Sequence, residues 1–243
     1  MLNFIYYYLL YMSKIITIDG PASAGKGTLS RKLASHLGYT HLDNGSIFRV
    51  ASLSLKRRGI DIYNASDQDL VDLILSTPIE ITWDGKICQL YLDGCNVTHE
   101  ISDLEIGKMT SVLASNRQCF TALAQVTQSL AVDGHFVSDG RAVGTFIFPE
   151  AGIKIFISAT AEVRAQRRFQ DLISQGKLVI FEDVLNDIKE RDERDKNREF
   201  CPLIPPEGCI MVDTSYSTSE ESLNEILIKI DQGENYEHLP KLK

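Results

Sequence analysis

Apolar residues in this chain follow two alternating rhythms: short β-branched runs, and longer stretches in which every third or fourth position is apolar. Ile15-Ile16-Thr17-Ile18 is the first β-branched run, and it breaks at Asp19-Gly20 into a glycine-rich turn. Leu29, Leu33, Ala34 and Leu37 then mark one face of a helix, which Gly38 is placed to end. A short strand is predicted through Thr40-His41-Leu42, followed by a turn at Asp43-Asn44-Gly45 and a helix through Val50, Leu53 and Leu55 to Gly59. Ser66-x-x-Asp69, a relative of the capping box, opens another helix that reaches Leu75. The rhythm changes at Ile79. Two runs, 79–83 and 87–92, with turns at Asp84-Gly85 and Asp93-Gly94, predict an antiparallel meander. Helical spacing returns as one long helix over 106–130. Two buried strands are predicted at 136–140 and 153–157, the first ending in the acid of Ser138-Asp139-Gly140-Arg141. Helices over 160–173 and 182–198, a strand over 210–214 and a final amphipathic helix opened by Thr218-x-x-Glu221 complete the series.

Strands alternating with helices predict an α/β domain with a parallel core sheet, into which the antiparallel meander is inserted. In such sheets the carboxyl ends of the strands carry the site. A length of 243 residues suits one such domain over 13–232, with a frayed tail at 233–243. The formal net charge of -8 argues against broad binding to a nucleic acid polymer or an anionic membrane surface, so basic residues must act locally. The five cysteines are far apart and form no C-x-x-C pair, which suggests neither a zinc site nor a disulfide framework and fits a reducing cytoplasm. Residues 1–12, MLNFIYYYLLYM, are uncharged and too short to span a bilayer. They are read as an artefact or disordered extension ahead of a start at Met12, with a peripheral membrane contact as the minority reading. A monomer is expected.

The candidate chemistry starts in the first turn. Gly20-Pro21-Ala22-Ser23-Ala24-Gly25-Lys26 has the form G-x-x-x-x-G-K between a strand-like and a helix-like run. There the glycines let successive N–H groups face one concavity, the helix adds its positive end, and Lys26 supplies a point charge for outer phosphates. The hydroxyl that the pattern wants directly after the lysine is displaced by Gly27 and falls on Thr28. Residues 191–198 pack four cations and three acids into eight positions. A solvated helix face is one reading; cations for a phosphoryl group, aimed by the acids, is the other. Arg141 follows a glycine at a strand's carboxyl end and is an anion ligand by position, while Asp139 either organises magnesium through water or caps the next element. Arg49 is expected in the first turn of its helix, where a cation opposes the dipole unless it meets an anion. The histidines His36, His41, His99, His135 and His238 show no metal spacing, and Trp83 and the tyrosines are assigned to packing.

Taken together these stretches resemble those of the bacterial cytidylate kinases, P-loop enzymes that pass phosphate from ATP to CMP. The resemblance runs from about Ser13 to Gln232. It rests on Gly20 to Thr28, including the Lys-Gly-Thr variant of nucleoside monophosphate kinases, and on Leu42-Asp43-Asn44-Gly45-Ser46-Ile47-Phe48-Arg49. It rests also on Ser138-Asp139-Gly140-Arg141-x-x-Gly144-Thr145 and Arg191-Asp192-x-x-Asp195-x-x-Arg198. The resemblance implies a P-loop parallel sheet flanked by helices, with core segments at 13–76, 112–163 and 199–232. It further implies an inserted antiparallel β module near 77–111 on the acceptor side and a helical lid near 164–198. ATP would be held by Gly20, Pro21, Ala22, Ser23, Ala24, Gly25, Lys26, Gly27, Thr28 and Arg164, with magnesium beside Thr28 and Asp139. CMP or dCMP would be held by Asn44, Arg49, Ser111, Arg141, Arg191, Asp195 and Arg198. Of these, Arg49 and Arg141 would take the phosphate, Ser111, Arg191 and Asp195 the ribose, and Arg198 would lie near the base. Lys26, Arg141, Arg191 and Arg198 would carry the transfer. Three positions depart from the family pattern: Asn44 replaces a serine, Ala142 an aspartate, and Phe120 an arginine, with Arg117 only nearby. The rival readings are a P-loop kinase with another acceptor, UMP or a non-nucleotide, and a slow nucleotide-hydrolysing switch.

Overall fold

The computed structural model describes residues 14–131 and 135–232; the expectations for residues 1–12 and 233–243 lie outside the described residues. β1 (Ile15–Asp19) is buried along its whole length, as expected of a run of β-branched residues covered on both faces. It lies at the centre of a five-stranded parallel sheet ordered β2-β6-β1-β7-β8, with β2 Thr40–Asp43, β6 Phe136–Gly140, β7 Ile153–Ser158 and β8 Ile210–Asp213. Alternation along β1 divides the core. Ile16 and Ile18 pack with Leu29 and Leu33 of α1 (Lys26–Leu37) and with the last helix, α8 (Ser219–Gln232), through Leu223 and Ile226. Ile15 belongs to the opposite cluster, built from α2 (Asn44–Arg57), α3 (Asp67–Leu75), α4 (Leu104–Ser115) and α5 (Arg117–Leu130). Gly38 ends α1 in the left-handed conformation, and Ser66 and Thr218 make the capping bonds their spacing predicts.

The meander forms a separate antiparallel sheet of β3 (Ile79–Trp83), β4 (Cys88–Leu92) and a short third strand, β5 (Cys95–Asn96), absent from the sequence reading. Its inward residues Ile79, Leu90 and Leu92 continue the cluster of α2 and α4. α6 (Ala161–Ser174) and α7 (Phe181–Lys196) form a hairpin with a small core of its own, centred on Ala165, Val184 and Ile188 and touching Ala22.

Three local expectations are corrected. The single helix over 106–130 is two helices. Asn116 between them is extended, and its side chain accepts from the N–H groups of Gln118 and Cys119, so a strong N-cap interrupts apolar spacing that continues through it. α2 starts at Asn44 with Asp43 as its cap, which moves Arg49 from the first turn to the second, away from the strongest dipole field. The tyrosines do not all pack: Tyr39 is buried, whereas Tyr63 and Tyr216 are exposed.

Candidate active site

The turn after β1 is a cradle that its glycines make possible. A Cβ on Gly20 would lie 2.2 Å from the carbonyl oxygen of Ile157, so no other residue fits. Ser23 (φ 58°) and Gly25 (φ 96°) take left-handed conformations, and Gly25 enters α1 without a side-chain cap, which leaves first-turn N–H groups for a ligand. Lys26 folds back, its Nζ donating to the carbonyls of Gly20 and Pro21 at 2.7 Å each. Burial, then the nearby charge of Arg141, pushes its pKa down to about 8. A Cβ on Gly27 would meet the Arg31 guanidinium at 3.3 Å and approach Asp139 Oδ2 at 3.9 Å. Glycine after the lysine thus keeps the helix N-terminus close to Asp139, and Thr28, the next residue, is exposed.

Three adjacent strands end in carboxylates, each used differently. Asp19 accepts from the N–H groups of Val143 (2.8 Å) and Gly144 (2.7 Å), which anchors the loop after β6; burial raises its pKa. Asp43 caps α2 through Ser46, and burial raises it too. Asp139 accepts from His41, with Nε2 and Oδ1 2.6 Å apart and both residues buried. It caps no element. The sequence reading missed two of these groups. Asp19 carried a usable signal, a strand-ending acid before glycine like Asp139-Gly140; His41 carried none beyond its place on a strand.

The arginines converge from the other side. Asp195 of α7 is buried between Arg141 and Arg198, its Oδ2 2.6 Å from Arg141 Nε and its Oδ1 2.6 Å from Arg198 Nη2. Burial, then Arg191, lowers the pKa of Arg141 to about 10, and burial lowers that of Arg191, which has no ion-pair partner among the described residues. Cations held this close disfavour one another, and a bound polyanion would relieve the repulsion. Arg164, expected at ATP, is buried; it grips Asp192 with both terminal nitrogens and reaches the Ala22 carbonyl at 3.4 Å. It therefore ties α6, α7 and the cradle together.

Other expected acceptor residues lie apart from this cluster. Arg49 donates to the Ile101 carbonyl at 2.9 Å and lines a cavity of about 630 Å³ between α2 and the small sheet, with Arg31, His41, Asp43 and Lys86. Ser111 is exposed on α4 and bonds back to the Gly107 carbonyl. Asn44 is buried, donating to Ser138 Oγ (2.7 Å) and the Asp139 carbonyl (3.0 Å), so it clamps α2 to β6. The other two departures meet in one apolar cluster. Ala142 is buried there in a left-handed conformation, and Phe120 packs edge-on against Phe48, Phe146 and Phe200, with Arg117 over the Phe200 ring. An arginine or aspartate at either position would place a charge in that cluster.

The cytidylate kinase family profile matches residues 16–232. A cytidylate kinase of Geobacter sp. (strain M21) is 37% identical over 211 residues, 86% of this chain and 89% of the relative. One from Caldicellulosiruptor bescii is 39% identical over 218 residues, 89% and 95% of the two chains. One from Colwellia psychrerythraea is 38% identical over 214 residues, 88% and 94%.

Proposed function

This chain belongs to the cytidylate kinase family of phosphotransferases, and we propose that it moves the γ-phosphoryl group of ATP onto the phosphate of CMP, and of dCMP. An oxygen of the acceptor phosphate attacks the γ-phosphorus in line, the bond to the β,γ-bridging oxygen breaks, and ADP leaves with the electron pair. The acceptor is already ionised, so no base is required. The residues work by position and charge. The cradle N–H groups and Lys26 hold the donor phosphates; Arg141 and Arg198, aimed by Asp195, face them with Arg191.

Magnesium fits this site. Asp139 Oδ2 makes no hydrogen bond to the described residues and lies by Gly27, and Thr28, the next residue along the helix, is exposed. Among the described residues no group of three or more His, Cys, Asp or Glu forms a metal cage, and magnesium needs none when substrate phosphates and water fill its shell. When bound it would be held on the protein side by Asp139 and Thr28 and would supply charge neutralisation for the donor phosphates.

The observation that carries this reading is the clustering of Lys26, Arg141, Arg191 and Arg198, whose charges act on one another. The α6–α7 hairpin, with its own core and its ties through Asp192 and Asp195, serves as the lid that excludes water. The chain acts as a monomer in the cytoplasm, a reducing compartment that suits its five free cysteines. No helix among the described residues is long and apolar enough to cross a membrane. The test is product balance: with ATP, magnesium and CMP, CDP and ADP should form in equal amounts. ADP release without CDP would favour the hydrolysing switch.

A further inference from the structure

Residues 41 and 43 of β2 and residues 137 and 139 of β6 sit in parallel register, His41 beside Val137 and Asp43 beside Asp139, so all four side chains share one sheet face. That face is the one α1 covers, since Val137 packs with Leu29 and Leu33. His41 therefore reaches diagonally to Asp139 beneath the start of the phosphate-cradle helix. His41 is 2% exposed, and Trp83 of β3 stands edge-on to its ring with centroids 5.8 Å apart. Nδ1 is buried without a hydrogen-bond partner, so the 2.6 Å bond from Nε2 is the ring's one polar anchor among the described residues. The ring cannot exchange this bond for another without burying a second unpaired atom.

Among the described residues, the Asp139 carboxylate is held from one side only. His41 takes Oδ1, and Oδ2 is left toward Gly27 and the cradle. Of its neighbours, the Arg31 guanidinium lies near Gly27 on the Oδ2 side and makes no ion pair with Asp139 among the described residues, so it does not replace His41 at Oδ1. Asp19 and Asp43 are carboxylates that Asp139 repels, and the Lys26 ammonium is bonded to the carbonyls of Gly20 and Pro21.

We propose that His41 is the positioning residue of the magnesium side of the donor site: it fixes one Asp139 oxygen and so presents the other, singly, to the metal that accompanies ATP. This rests on the reading of Asp139 as the metal-side carboxylate. One oxygen at a fixed angle suits the tight octahedral shell of magnesium, whereas a carboxylate free to rotate offers both oxygens and suits larger cations. Partners that orient a ligating group from behind typically set metal affinity by 10–100-fold.

The test uses the full chain with a non-hydrolysable ATP analogue and Mn²⁺ as the probe. His41→Phe keeps a ring and removes the donor, while His41→Gln keeps a donor of similar reach. Mn²⁺ affinity in the ternary complex is measured beside analogue affinity in EDTA. His41→Phe should weaken Mn²⁺ binding about tenfold or more with metal-free analogue affinity unchanged, and His41→Gln should recover most of the loss. Equal Mn²⁺ affinity in the two variants, whether retained or lost, would overturn the proposal. If His41→Phe does not fold, His41→Leu takes its place in the same comparison. Asp139→Asn separates the two layers of inference. If it binds Mn²⁺ like the wild type, the reading of Asp139 itself fails. If it loses Mn²⁺ while the His41 variants do not differ, only the role of His41 fails.

Discussion

Lys26 is half-buried, bonded to two carbonyls and flanked by guanidinium groups, and these conditions set its pH behaviour. Its pKa of about 8 lies below the ordinary value of 10.5, so the unfolded chain holds this proton more tightly than the folded one. Between those two values the unfolded state binds more protons, and this group makes the fold more stable as pH rises; below about 8 both states are protonated and its contribution is constant. Nucleotide binding runs the other way. Phosphates favour the charged amine, so ATP should bind with proton uptake at pH 8.5, and its affinity should fall as pH rises further. Calorimetry in two buffers of different ionisation heat measures the uptake. It should vanish in Lys26→Met, and equal uptake in that variant would assign the proton to another group. Lys26→Met should also cost at least about 3 kcal/mol of transition-state stabilisation, on the order of a hundredfold in rate, in a variant that keeps its fold. Near-normal turnover would remove Lys26 from the mechanism. At this scale the sequence was readable where a residue type has few alternative uses, as with glycine and lysine in the cradle. It was not readable where the role depends on a partner far along the chain: Asn44 meets Ser138, and His41 meets Asp139.

Elements were legible where period and cap agree. α1, α3 and α8 carry both signals, and each forms where its spacing predicts. The break between α4 and α5 was missed because apolar residues keep helical spacing across it, and only the Asn116 side chain marks the stop. Two bonds from that side chain satisfy otherwise open N–H groups, and a third links it to Asp67. Asn116→Ala should therefore lower stability by about 1 kcal/mol in chemical denaturation and leave kcat/KM for both nucleotides unchanged. A change below about 0.3 kcal/mol would mean that packing alone sets the helix boundary. The short β5 carried no signal because two residues offer no period to read.

For the molecule as a whole, the helical hairpin is joined to the rest at two points: Asp195 of α7 pairs with Arg141, and Arg164 of α6, held within the hairpin by Asp192, reaches the Ala22 carbonyl. The charge run was legible as a cluster, but its pairing required the fold, because Arg141 and Arg164 are remote from it in sequence. Asp195→Ala should leave Arg141 and Arg198 unaimed and lower kcat/KM for CMP on the order of a hundredfold, with the KM for ATP within about threefold of wild type. A matching loss of ATP affinity would place Asp195 on the donor side instead. The acceptor is the larger question, because Phe120 and Ala142, where the resemblance leads one to expect charged residues, are buried in one apolar cluster, and Asn44 is bonded to Ser138 and the Asp139 carbonyl. A pocket without a charged partner forfeits about 1–3 kcal/mol of discrimination. The most direct measurement is therefore kcat/KM, by coupled ADP release, for CMP, dCMP, UMP, AMP and shikimate at saturating ATP and magnesium. The account predicts CMP first, dCMP close behind, and UMP lower by roughly five- to a hundred-and-fifty-fold, with AMP and shikimate near background. A higher value for UMP or shikimate than for CMP would contradict it.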